Sequence, residues 1–239
     1  MRLLRGSFSE TTRYSQDPVA AAQSFAGCGV LWIHIVDLDA AEGKGRDNLA
    51  VIERIRRAVT CRVQVGGGVR GAEQAGRLID VGVDRIVLGT VLVKSPETAA
   101  ALIGRHGPLF AAGVDARDGS VRVAGWMEDA GLPDIRVAEG LGALGIRWLI
   151  YTNISRDGTL AGPDIPRTNA AARAAGLPTI LSGGIGSESD VERVAMEKDP
   201  LVAGVILGKA LYEERVDLGK LVTRFPQELH SSWDSTAER

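Results

Sequence analysis

Two glycine clusters and a few carboxylates mark where this chain could do chemistry. GlyGlyGly at 66–68 and SerGlyGly at 182–184 each follow an apolar run and precede a helical pattern. Glycine lets the backbone approach an anion closely, and a helix opening nearby aims N–H groups and its positive dipole end at it. Tight strand-to-helix turns also use glycine, so one such cluster is ambiguous. Each, however, is paired with a glycine ending the next apolar run, Gly89 before Thr90 and Gly208 before Lys209. The pairing reads as two phosphate grips. Gly67, Gly68, Gly89 and Thr90 form one; Ser182, Gly183, Gly184, Gly208 and Lys209 form the other. Two grips facing each other across one barrel mouth imply a small substrate with a phosphate at each end. Arg2 and Arg70 are secondary candidates for binding charge, with solvated surface arginine as the alternative.

Asp115 closes the run GlyValAsp and is followed by ArgAspGlySerValArgVal, a hairpin signal. A carboxylate at the carboxyl end of a barrel strand points into the active-site mouth. The turn role falls more naturally to Asp118 with Gly119. Thr152, Asp157, Gly158 and Thr159 lie in TyrThrAsnIleSerArgAspGlyThrLeuAlaGly (151–162), which leaves another apolar run. Thr152 and Asp157 are candidate catalytic residues and Gly158 a candidate substrate contact, although Asp157–Gly158 alone reads as an ordinary turn. Trp126 either stacks on a planar ring of the substrate or packs half-buried. Asp37 is either a pocket carboxylate or structural, and His34 reads as a packed strand residue.

Holding such residues at one end of a sheet requires parallel strands with helical crossovers. Apolar, β-branched runs predict strands at 31–37, 62–65, 84–88, 109–114, 147–152, 178–182 and 203–207. Helical patterns fall near 18–27, 48–58, 72–81, 96–105, 134–144, 165–175, 187–197 and 217–224. Pro18, Pro96 and Pro166 suit a first helical turn, where a missing N–H costs nothing. The chain also resembles itself at half its length. ValGlyGlyGlyValArg (65–70) echoes LeuSerGlyGlyIleGly (181–186), and ValLeuGlyThrValLeu (87–92) echoes IleLeuGlyLysAlaLeu (206–211). IleHisIleValAspLeuAsp (33–39) parallels TrpLeuIleTyrThrAsnIle (148–154), setting Asp37 opposite Thr152. The expectation is an α/β protein, a TIM (β/α)8 barrel built from two similar half-barrels. It is read as a single domain over 1–239 with a frayed end at about 230–239.

Composition narrows the function classes. The 239 residues carry a net charge of −2 with the signs interspersed, which speaks against a nucleic-acid groove. No apolar run approaches the ~20 residues of a membrane span. Cys28 and Cys61 lack CxxC spacing and the three histidines lie far apart, so neither a disulfide framework nor a metal site is expected. A cytoplasmic monomer acting on a small molecule is the reading.

The motifs together resemble one family. GlyGlyGlyValArg, LeuGlyThr, GlyValAspAlaArgAspGly with GlyTrp, TyrThrAsnIleSerArgAspGlyThrLeuAlaGlyProAsp, SerGlyGlyIle and GlyLysAlaLeuTyr are similar to the phosphoribosylformimino-5-aminoimidazole carboxamide ribotide isomerases of histidine biosynthesis. The resemblance runs from Arg2 to about residue 225. It implies an Amadori rearrangement, aminoaldose phosphate to aminoketose phosphate, without metal or organic cofactor. It also implies that Asp115 is the general acid of ring opening. The family's general base is an Asp on the first strand, in an IleProAlaIleAspLeu-like segment with no counterpart here. The expectation is therefore that the first strand is missing from this chain and that the true start lies upstream. MetArgLeuLeuArgGly (1–6) parallels ValArgValAlaGlyTrp (121–126), which points the same way. Three alternatives stay open: the sister cyclase that closes the imidazole ring, a dual isomerase also serving tryptophan biosynthesis, and a non-catalytic phosphosugar-binding barrel.

Overall fold

Strands β1 (Arg2–Leu4) and β2 (Ser7–Thr12) pair antiparallel. Next come α1 (Pro18–Gly27), β3 (Trp32–Val36), the short α2 (Leu38–Glu42), α3 (Leu49–Ala58) and β4 (Arg62–Gly66). The chain continues through α4 (Ala72–Asp80), β5 (Arg85–Leu88), the short α5 (Thr90–Lys94) and α6 (Pro96–His106). Then follow β6 (Phe110–Arg117), β7 (Ser120–Val123), β8 (Glu128–Pro133), α7 (Asp134–Gly140) and β9 (Leu149–Asn153). Last are α8 (Ile165–Ala175), β10 (Thr179–Ser182), α9 (Glu188–Glu197), β11 (Val202–Ile206), the short α10 (Lys209–Tyr212) and α11 (Leu218–Arg224). This computed structural model describes residues 2–4, 7–12, 14, 17–43 and 45–226. The expected frayed end at 230–239 lies outside the described residues, as does Met1.

All seven expected strands and all eight expected helices form. The short helices α2, α5 and α10 and the hairpin β1–β2 were not foreseen. Gly89 (φ −118°, ψ −95°) and Gly208 (φ −130°, ψ −94°) end their strands as expected, and each leads directly into a short helix.

Two compact units make up the chain. One combines residues 1–14 with 112–217; the other combines 15–111 with 218–239. In the second, β3, β4 and β5 lie side by side and parallel, Val36 opposite Gly66 and Gly66 opposite Val87. Its core gathers Ile33, Val63, Val65, Ile86 and Leu88 with Ile52 and Ile55 of α3 and Leu78 of α4, all buried. Each such side chain contributes about 1.5–3 kcal/mol of transfer free energy. In the first unit, β6, β9, β10 and β11 run parallel in that order, and β7 and β8 extend β6 antiparallel. Val114, Leu149, Ile150, Tyr151, Leu181 and Val194 fill its core. Parallel strands buried on both faces, joined by helices in two similar sets, make this a (β/α)8-barrel fold with a half-length repeat.

The repeat reaches single backbone angles. Gly67 and Gly68 have φ of +103° and +74°; Gly183 and Gly184 have +97° and +90°. The register corrects one expectation. Val36 stands opposite Gly66 as Thr152 stands opposite Ser182, so Asp37 corresponds to Asn153, one residue beyond Thr152. No helix among the described residues is long and apolar enough to cross a membrane.

Candidate active site

Asp115 and Thr152 stand in register on the neighbouring strands β6 and β9. The Thr152 side chain hydrogen-bonds the Asp115 carboxylate, and the Trp126 indole Nε1–H donates to Asp115 Oδ2 at 2.6 Å. Trp126 arrives by a hairpin. Asp118 (φ +52°) and Gly119 (φ +80°) make the two-residue turn foreseen from the sequence, with Arg117 opposite Ser120. Ser120, Arg122 and Val123 of β7 then pair with Pro133, Asp129 and Glu128 of β8. The tip passes through three left-handed residues in succession, Ala124 (φ +55°), Gly125 (φ +64°) and Trp126 (φ +71°). Left-handed backbone is unfavourable for Ala and Trp, so the hairpin must hold this conformation in place.

Asp115 is half-buried by surface area yet sits deep in the mass of its unit. Loss of water around its carboxyl raises its pKa above the usual carboxylate value, and the negative charge of Asp157 adds to the rise. The Trp126 and Thr152 hydrogen bonds favour the ionised form but do not outweigh burial. The raised pKa extends the pH range over which the Asp115 carboxyl is protonated beyond that of an ordinary aspartate.

Asp157 and Gly158 belong to the loop 154–162, which folds back on itself. The Asp157 N–H donates to the carbonyls of Asn153 (3.1 Å) and Ile154 (3.2 Å), and Gly158 (φ +71°) turns the chain. Arg156 donates to the carbonyls of Ala161 (3.2 Å) and Gly162 (3.1 Å). The glycines of the next strand end support this loop. A Cβ on Gly183 would meet the Asn153 carbonyl at 2.8 Å, and one on Gly184 the Gly162 carbonyl at 2.3 Å. The second unit repeats the contact: a Cβ on Gly67 would meet the Asp37 carbonyl at 2.4 Å, and one on Gly68 the Ala40 Cβ at 2.4 Å.

The helix after the second glycine cluster differs from the sequence reading. The sequence reading had each cluster open a helix whose N-terminus receives the anion. In fact α9 starts at Glu188 and closes its own N-terminus, with Ser187 Oγ accepting from the Asp190 N–H and Asp190 accepting from the Gly186 N–H. The helices that directly follow a strand-ending glycine are α5, behind Gly89 and starting at Thr90, and α10, behind Gly208 and starting at Lys209; neither has a side-chain cap. The Lys209 ammonium donates to the Gly158 carbonyl at 3.1 Å and stands 3.6 Å from Glu213. Ser182 ends β10 beside Thr152. Arg70 is exposed and donates to the carbonyls of Ala40 and Ala41, both at 3.3 Å, bracing α2 and its end. Arg2 stands in β1, and its side chain lies outside the described residues.

Asp37 resolves as structural. It caps α2 through the Ala40 N–H and accepts from the backbone and side-chain nitrogens of Asn48 at 2.8 and 2.7 Å. His34 Nδ1 pairs with Gln64 Nε2 at 2.7 Å, as a packed strand residue would. Sequence reasoning missed a buried cluster near the site. The Asp134 carboxylate, with no exposed surface, accepts from the Tyr151 hydroxyl (2.6 Å), the Arg167 Nε–H (3.0 Å), a second Arg167 nitrogen and the Ile135 N–H (2.8 Å). Burial alone would raise the Asp134 carboxyl, but these donors hold it below the usual carboxylate range; burial and then the contact with Asp134 raise Tyr151, and the Asp134 contact raises Arg167. No motif announces three residues drawn from three separate elements.

A family profile described as "Histidine biosynthesis protein" matches residues 1–217. Among similar curated proteins, one from a Synechococcus species is 41% identical over 223 residues, covering 93% of this chain and 87% of that protein. One from Synechococcus elongatus is 42% identical over 218 residues, covering 91% and 85%. One from Herpetosiphon aurantiacus is 40% identical over 222 residues, covering 93% and 91%. All three are named 1-(5-phosphoribosyl)-5-((5-phosphoribosylamino)methylideneamino) imidazole-4-carboxamide isomerase.

Proposed function

The chain belongs to the histidine biosynthesis protein family, and from that premise we propose that it is the isomerase its relatives are named for, an aldose–ketose isomerase that performs an Amadori rearrangement. The substrate is a ribosyl aminoimidazole carboxamide bearing a phosphate at each end. The observation that carries the mechanism is the environment of Asp115: a carboxyl biased toward its protonated form, held by Trp126 and Thr152 and faced by Asp157. Ring opening needs a proton on the ribose ring oxygen as the bond from that oxygen to the anomeric carbon breaks. A carboxylic acid with a raised pKa supplies that proton near neutral pH. The anomeric carbon becomes an iminium, a base takes the C2 proton to give an enolamine, and protonation at C1 with loss of the proton from the oxygen on C2 yields the aminoketose. No net redox partner is consumed.

Thr152 steadies the Asp115 carboxylate, and the charge of Asp157 makes ionisation of Asp115 harder. The indole of Trp126 offers a flat surface for the imidazole carboxamide. We assign one phosphate to Ser182, Gly183, Gly184, Gly208 and Lys209 in the first unit and the other to Gly67, Gly68, Gly89 and Thr90 in the second, with Arg2 and Arg70 as further charge. The interspersed surface charge and the free cysteines fit a cytoplasmic monomer with no nucleic-acid partner.

The test is turnover of the bis-phosphate substrate by the purified chain and by Asp115→Asn. Asparagine keeps the Trp126 hydrogen bond but has no proton to give. Turnover should fall about 10²- to 10⁴-fold with substrate affinity nearly unchanged. Turnover within a few-fold of the parent removes Asp115 from the acid role.

A further inference from the structure

Trp126 holds the Asp115 carboxyl from the tip of a hairpin, and the base of that hairpin is tied down by a cluster of side chains. The Asp134 N–H, directly after β8, donates to the Gly119 carbonyl in the β6–β7 turn at 3.0 Å. The Asp134 side chain gathers the Tyr151 hydroxyl and the Arg167 guanidinium. Arg167 also packs on the turn, since a Cβ on Gly119 would meet its guanidinium at 3.1 Å. Thr152, the other partner of Asp115, is bracketed by the same construction. Its predecessor Tyr151 is held by Asp134, and its successor Asn153 donates to Asp164 at 2.7 Å, the residue that caps α8. Arg167 lies in the first turn of α8, so one helix start fixes both the strand bearing Thr152 and the hairpin bearing Trp126.

We propose that Arg167, Asp134 and Tyr151 are positioning residues for the isomerase reaction, a clamp with Asp134 and Tyr151 buried and Arg167 reaching in from a partly exposed position, which keeps Trp126 and Thr152 on the Asp115 carboxyl. The inference rests on the proposed isomerase reading for its kinetic consequence. The clamp touches neither substrate nor reacting atoms; it acts through Trp126. Its loss frees the left-handed tip to relax, and the indole leaves the carboxyl.

The decisive experiment is a double-mutant cycle on kcat/KM with Arg167→Gln and Trp126→Phe. Each single variant should lose at least about tenfold, as misplacement of a site group does. The double variant should be no worse than Trp126→Phe alone within about threefold, because both changes remove one thing. Losses that multiply overturn the proposal. Tyr151→Phe, which keeps the ion pair, is the gentler second variant and should show the same non-additivity. A readout without substrate separates this idea from the function itself. In ¹⁵N-labelled parent protein the Trp126 indole N–H, assigned by its absence in Trp126→Phe, should show slow hydrogen exchange that accelerates in both clamp variants. Unchanged exchange in both sinks the clamp whatever the turnover. Failure of the parent to bind the bis-phosphate substrate in calorimetry sinks the isomerase reading and leaves the exchange result standing. If both variants unfold, the three residues hold the fold rather than the site, and the positioning role is lost.

Discussion

Gly184→Ala should damage catalysis without adding any charge. Gly184 has φ +90°, and a Cβ there would stand 2.3 Å from the Gly162 carbonyl, where ordinary contact begins at 3.4 Å. The loop 154–162 must therefore move by about 1 Å, and it carries Asp157 and Gly158. A misplacement of that size costs about 10²-fold in rate. The left-handed backbone adds about 1–2 kcal/mol of destabilisation. An aspartate at this position would mix repulsion of the phosphate with the same clash; alanine isolates the clash. The control is Gly76→Ala in the middle of α4, where a Cβ meets nothing within 4 Å. That change should stabilise by about 0.5–1 kcal/mol and leave turnover alone. Steady-state turnover and urea unfolding on the three proteins make the comparison. A Gly184→Ala enzyme within threefold of the parent in kcat would refute the view that this glycine exists to let the catalytic loop approach.

Lys209→Met should raise KM by roughly 10- to 100-fold, the worth of a charged hydrogen bond to phosphate, with kcat within a few-fold. Calorimetry with substrate checks it, and an unchanged affinity removes Lys209 from the phosphate grip. The raised pKa of Asp115 means the folded chain holds a proton that the unfolded chain releases. Stability from this group is therefore full below the unfolded carboxylate value and falls as pH rises toward the folded one. Asp115→Asn should accordingly match the parent's melting temperature at pH 3.5 and exceed it at pH 8; equal melting temperatures at pH 8 contradict the assignment. Asp134 has the opposite sign. Its depressed pKa contributes stability above the unfolded carboxylate value, and that stability is lost as pH falls through the folded one. Tyr151→Phe, which weakens the hold on Asp134, should shift the acid-unfolding midpoint to higher pH.

The strands and helices were legible because their signal is local: β-branched runs, amphipathic spacing and prolines at helix starts. Asp17 before Pro18 shows the pattern, its carboxylate accepting from the Val19 and Ala20 N–H groups. Asp115, Trp126 and Thr152 were each legible as strand-end or post-hairpin candidates. Their convergence was not, because it depends on register between β6 and β9 and on three left-handed residues that no short motif encodes. The glycine pairs were found from the turns they make, although α9 behind the second pair caps its own N-terminus. Their backbone angles are as required, but what presses against Gly67, Gly68, Gly183 and Gly184 is another segment of the protein. Asp134, Tyr151 and Arg167 were invisible because a polar cluster spread over three elements leaves no periodicity behind.

The two units differ where the repeat would otherwise be strictest. In the second unit, Asp37 at the strand end accepts from the Asn48 side chain at 2.7 Å. In the first, Asn153 at the matching strand end donates to the Asp164 side chain, also at 2.7 Å. The same hydrogen bond is made with the acid and the amide exchanged. Geometrically the exchange is nearly free, since either order gives one N–H donor and one carboxylate acceptor. Electrostatically it is not. Asn153 follows Thr152, whose side chain bonds to Asp115, and its carbonyl accepts from the Asp157 N–H. A third carboxylate at residue 153 would add its charge beside two that already interact, and would compete for the donors that orient them. Placing the acid on Asp164 moves it to the start of α8, where the Arg167 N–H and the positive helix end favour it. The second unit has Ala41 where the first has Asp157, and it can leave its acid on the strand. The repeat thus preserves the scaffold that brings loop and glycine turn together, and the exchange of one pair keeps excess charge away from Asp115, the carboxyl we propose as the proton donor.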